Sequence, residues 1–107
     1  MNENQKYFDY VVRGLDKRTI LEQLAEEASE ITQASLKLIR AEKFNNNYTP
    51  SSKEESIENL LEEINDIRMV INLIRTKYDE LYFLPEDNEI INNPKWKRWA
   101  ERLGYVE

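Results

Sequence analysis

Two long stretches of the chain carry apolar residues at helical spacing, and each is preceded by a capping signal. In the first, Ile20, Leu21, Leu24, Ala25, Ala28, Ile31, Ala34, Leu38 and Ile39 share one face. Thr19 and Glu22 form a Thr-x-x-Glu capping box, which predicts a helix from Thr19 to about Phe44. Ser52 and Glu55 repeat the box and predict a second helix from about Lys53 to Tyr82, broken by Leu84-Pro85. Its polar residues (Glu62, Asn65, Arg68, Asn72, Arg75 and Thr76, with Met69 among them) fall in a narrow wedge. Ile57, Leu60, Leu61, Ile64, Ile67, Val70, Ile71, Leu73, Ile74 and Tyr78 cover most of the remaining circumference. The Asn-rich segment from Asn45 to Ser52 reads as a loop. An aromatic-rich stretch from Glu3 to Arg13 ends at Gly14, a helix stop, and a polar stretch leads to Asn93. Asn93-Pro94 then reads as N-cap and first position of a last helix, closed by Gly104.

The expected fold is therefore all-α: a single domain over residues 1–107, with two long antiparallel helices and short terminal helices. The apolar surface of the second long helix is broader than one partner helix covers. A second copy is expected to complete it, giving a four-helix-bundle core on dimerisation and leaving dimer or tetramer open.

Composition narrows the chemistry. The 107 residues include no His and no Cys, so Ser-His and Cys-His nucleophiles and imidazole or thiolate zinc sites are excluded. Any metal is a hard cation held by oxygen. With 15 Lys+Arg against 21 Asp+Glu, the net charge of −6 argues against nucleic acid as a partner. No apolar run approaches the roughly 18 residues of a membrane span. No signal-peptide pattern opens the chain and it has no Cys, so a cytoplasmic location is expected.

Some acids sit where the pattern calls for apolar residues. Glu63 and Asp66 fall outside the polar wedge, among Asn59, Val70, Leu73 and Ile74, whereas Glu62 faces solvent. In the first long helix Glu27 lies within the margin of the apolar face and Glu30 just beyond it, with Glu26 pointing further out. Each pair has i, i+3 spacing, so its carboxylates project from neighbouring turns. Four such groups around one space repel unless they are solvated or joined by a cation. The alternative is four ordinary surface acids in a chain that is 34% charged.

Read together, Glu26-Glu27-Ala28-Ser29-Glu30 and Glu63-Ile64-Asn65-Asp66 have the form EExxE…ExxD. This resembles the signature of the MazG-like all-α nucleoside triphosphate pyrophosphohydrolases, and the likeness extends from about Thr19 to Leu103. The stretch between Glu30 and Glu63 is longer than that family's usual spacing, with the Asn-rich loop absorbing the excess. The resemblance implies Mg²⁺, with Mn²⁺ as a possible substitute, held by Glu27, Glu30, Glu63 and Asp66. It also implies catalytic roles for Glu26 and Glu27, with Glu26 either supporting the metal ligands from behind or helping to orient the attacking water. The implied reaction cleaves a (deoxy)nucleoside triphosphate to the monophosphate and pyrophosphate, in nucleotide-pool housekeeping. Phosphoribosyl-ATP hydrolysis and a non-catalytic helical interaction module are the alternatives.

Lys95, Arg98 and Arg102 run at i, i+3, i+7 along the last helix, beside an apolar stripe of Trp96, Trp99, Ala100 and Leu103. The stripe is expected to dock on the bundle and to bring Lys95 and Arg98 to the substrate phosphates. A solvated amphipathic helix is the plainer alternative. Tyr7, Phe8, Tyr10 and Tyr48 are the candidates to stack on a base and Asn45 to Asn47 to bond to it, with core or interface packing the plainer expectation for most of the aromatics, and no residue selects a base.

Overall fold

The computed structural model describes residues 2–42, 52–81 and 87–106. These form α1 (Glu3–Gly14), α2 (Lys17–Ala41), α3 (Lys53–Lys77), a 3-10 turn (Asp79–Leu81), α4 (Asp87–Ile90) and α5 (Lys95–Arg102). There is no strand among the described residues, and no helix among them is long and apolar enough to cross a membrane.

Local signals account for most helix ends. The Ser52 hydroxyl accepts the Glu55 amide at 3.1 Å and starts α3 where its capping box lies. Helix α2 begins earlier than Thr19: Asp16 is its N-cap and accepts the Thr19 amide at 2.8 Å. Hydrogen bonds from the Thr19 side chain and amide hold the Asp16 carboxyl below its ordinary value of 3.8. A carboxylate at the positive helix end outcompetes the threonine hydroxyl three residues later. At the other end α2 stops at Ala41, and Phe44 lies outside the described residues with the Asn45–Asn47 segment and Tyr48.

Helix α3 ends at Lys77, short of Tyr82, because Tyr78 turns to extended backbone. Its ring packs against the core, with the Lys17 ammonium 4.7 Å from the ring centroid. Tyr82 and the Leu84-Pro85 break lie outside the described residues. The polar stretch before Asn93 contains the short α4, which periodicity did not predict.

Helices α2 and α3 pack on each other as an antiparallel pair, with Ile20 near the start of α2 clustered with Val70 and Ile74 near the end of α3. The inward row of α2 is Ile20, Glu27, Ala34 and that of α3 is Ser56, Glu63, Val70, each member seven residues from the last. Seven residues is close to two helical turns, so the rows stay on the contact line. Glu27 and Glu63 thus hold the middle position of the two rows, between apolar or small residues.

Ser56 is 2% exposed and its hydroxyl has no hydrogen-bond partner. Ser56→Ala is therefore expected to stabilise the fold by about 1 kcal/mol, since it removes an unpaired buried hydroxyl. Denaturant titration would show this as a higher midpoint at unchanged slope. A lower midpoint would mean that the hydroxyl is bonded.

The pair buries one side of α3 only. Ile20, Ala34, Val70 and Ile74 are the buried apolar residues among those described, while Leu21, Leu36 and Ile39 of α2 and Ile57, Leu61 and Ile64 of α3 remain exposed. The radius of gyration is 17.9 Å, against about 13 Å for a compact domain of this length. Helix α1 lies against α3. Helix α5 does not dock on the helix pair as expected: among the described residues it packs on none of α1, α2 or α3. Its organisation is local instead. The Trp96 indole N–H donates to the Ile90 carbonyl at 2.8 Å, and the two indole rings stack at 5.6 Å.

Candidate functional site

The middle layer of the α2–α3 contact is where the acids meet. Glu27 and Glu30 rise from successive turns of α2, and Glu63 and Asp66 from successive turns of α3. Because the helices run antiparallel, the order of one pair reverses against the other and all four carboxyls face one space. One oxygen from each lies within 4.8 Å of the other three. Glu27 is buried, at 8% exposure, and Glu30, Glu63 and Asp66 are half-buried.

The hydrogen bonding is incomplete. Gln23, one turn before Glu27, donates its amide to Glu27 Oε1 at 3.2 Å. Glu27 Oε2 and Glu63 Oε2 are enclosed and accept no hydrogen bond. Buried oxygens of this kind are uncommon in a finished fold and call for a donor, a proton or a cation.

Burial pushes the Glu27 carboxyl above its ordinary value of 4.5, and the charges of Glu30 and Asp66 push it further. The Gln23 amide acts in the opposite direction. Glu30 is also raised, first by its carboxyl contact with Glu63, then by burial and the Glu63 charge. The Coulombic influences on these two groups all come from other carboxylates: Glu30 and Asp66 on Glu27, and Glu63 and Glu26 on Glu30.

The donor set suits a hard divalent ion. Cation–oxygen distances of about 2.1 Å for Mg²⁺ and about 2.4 Å for Ca²⁺ put opposite ligands about 4.2 to 4.8 Å apart. Four oxygens within 4.8 Å of one another match that size. The exposed Glu26 sits beside this layer on α2.

Other residues singled out by the sequence fall elsewhere. Lys95 and Arg98 are exposed on α5, which stands off the helix pair, so they are not brought to the four acids. Tyr7 and Phe8 line a groove of about 470 Å³ between α1 and α3, together with Asn4, Met69 and Asn72. None of the four acids lines this groove, and Met69 and Asn72 lie on a different side of α3 from the inward Glu63. Tyr10 is exposed, outside this groove, and Tyr48 lies outside the described residues. Gln23 was not assigned a role from sequence; its i, i+4 spacing to Glu27 was the available signal. Comparison of the chain with protein-family models, curated proteins and solved structures finds no match.

Proposed function

We propose that this protein is a nucleotide pyrophosphohydrolase of the MazG-like all-α kind, dependent on Mg²⁺ or, in its place, Mn²⁺. Its reaction cleaves a (deoxy)nucleoside triphosphate to the monophosphate and pyrophosphate. The observation that carries this reading is the four-carboxylate layer, with Glu27 Oε2 and Glu63 Oε2 enclosed and unpartnered. Glu27, Glu30, Glu63 and Asp66 would hold the metal, and Gln23 fixes the Glu27 carboxylate for it. When bound, the divalent cation supplies charge neutralisation and Lewis-acid activation at the phosphates. Glu26, on the solvent side of the layer, orients the water that attacks the α-phosphorus and takes its proton. The new bond joins water oxygen to phosphorus, and the broken bond releases pyrophosphate.

The groove lined by Tyr7 and Phe8 offers ring faces and the Asn4 and Asn72 amides as chemistry for recognising a base. The exposed apolar residues Leu21, Leu36 and Ile39 of α2 support pairing of two copies into a four-helix core.

A panel of ribo- and deoxyribonucleoside triphosphates, assayed with Mg²⁺ for both pyrophosphate and orthophosphate, tests the proposal. Pyrophosphate and the monophosphate are expected from at least one substrate, without orthophosphate. Silence across the whole panel would remove the reading.

A further inference from the structure

Helix α5 has eight residues, whereas isolated helices below about 12–15 residues are marginal in water. It is nonetheless closed at both ends. Asn93 Oδ1 accepts the Lys95 amide at 2.9 Å, and beyond the helix Gly104 (φ +100°) turns the chain so that its amide and that of Tyr105 bond back to Glu101 and Ala100. What this short helix displays is apolar: Trp96 is 45%, Trp99 56% and Leu103 81% exposed. Exposed aromatic residues grouped in this way mark association surfaces.

Charge says what kind of surface they meet. The segment Lys95–Arg102 holds four of the chain's fifteen cations and one of its twenty-one acids, in a protein of net charge −6. The helix pair offers a matching partner, because α3 carries an exposed apolar stripe of Ile57, Leu61 and Ile64. On α3 the acids Glu58 and Glu62 each follow a stripe residue by one position. On α5 the cations Lys95, Arg98 and Arg102 each precede one by one position. When two helices face each other in parallel, the row after the seam on one lies beside the row before the seam on the other. Parallel docking therefore sets apolar stripe on apolar stripe and the three cations Lys95, Arg98 and Arg102 beside the acidic row, whereas antiparallel docking brings only Lys97 beside it.

We infer that α5 docks in parallel on the Ile57–Leu61–Ile64 stripe of α3 in a second copy of this chain. The second copy is the occupant because α5 leaves its own helix pair uncovered. The inference stands apart from any catalytic reading.

Trp96 and Trp99 are the only tryptophans, so intrinsic tryptophan fluorescence of the full chain reports α5 alone. On raising protein concentration, the emission is expected to shift to the blue along the same curve as the mass rises in sedimentation. Glu58→Lys, and separately the pair Lys95→Glu with Arg102→Glu, should each weaken association about tenfold and return the emission to the red. Combining the two sets should restore both readouts to within about threefold. Emission that ignores concentration while the protein associates would overturn the inference. So would a blue shift already complete in the monomer, which would mean docking on the same chain, or failure of the combined charge swap to rescue.

Discussion

Glu63→Gln is expected to cut pyrophosphate release by more than about 100-fold while raising the melting temperature of the metal-free protein. The two effects share one cause. Glu63 occupies the middle of the inward row of α3, one of its oxygens is enclosed without a partner, and its carboxyl presses on Glu30. Glutamine has nearly the same shape, so the row still packs, but it brings no charge and its amide can donate to the neighbouring carboxylate. Removing groups that merely orient metal ligands costs about 10 to 100-fold, so losing a ligand costs more. Melting curves with and without Mg²⁺, run beside the activity assay, separate this from simple unfolding. Glu62→Gln, one position round the helix and exposed, is the control and should leave both readouts unchanged. Full activity in the Glu63 variant would take Glu63 out of the site.

Stability of the metal-free protein is expected to rise as the pH falls from neutral towards 4.5, and millimolar Mg²⁺ should abolish that gain. Glu27 and Glu30 are both held above the ordinary glutamate value of 4.5 in the folded state. Between that value and their raised values the folded protein binds more protons than the unfolded chain, so lowering the pH favours folding there. The mutual repulsion is fully felt above the raised values and gone below 4.5. Asp16 acts in the other direction and in a lower window: its depressed value contributes stability that is lost as the pH falls below 3.8. A divalent cation replaces the protons, so with Mg²⁺ present the carboxylates favour folding when ionised and the slope changes sign. At neutral pH, Mg²⁺ at 100 times its Kd contributes about 2.7 kcal/mol, which raises the melting temperature by about 10 °C or more. Thermal melts across pH 4.5 to 7.5, with and without Mg²⁺, provide the measurement. A metal-free curve that is flat over this range would show that the four carboxyls do not share one space.

Local chemistry was legible without coordinates. Ser52 and Glu55 mark the start of α3 and Gly104 the end of α5, because a cap involves atoms only a few residues apart. Asn93-Pro94 marks the start of α5 one residue early: Pro94 is the N-cap, Lys95 the first helical residue, and Asn93 accepts the Lys95 amide from outside the helix. Asp16 and Thr19 are both acceptable caps by residue type, and only the folded backbone shows that the Asp16 carboxylate is the one that reaches the third amide of the helix. Tyr78 ends α3 early because its ring reaches a core contributed partly by α2, and that contact has no local signature.

By itself, the sequence determined that the chain would be helical and that Glu27, Glu30, Glu63 and Asp66 would project from the α2 and α3 surfaces as i, i+3 pairs. Helix period and side-chain direction follow from the backbone alone. Only the tertiary structure decided that the two pairs share one layer, because the sliding register of α2 against α3 is set by contacts such as Ile20 with Val70 and Ile74. Within one chain it also keeps Lys95 and Arg98 off that layer, because among the described residues α5 packs on none of α1, α2 or α3. An amphipathic stripe specifies that a helix has a face to bury; the packed chain determines which surface is available to bury it.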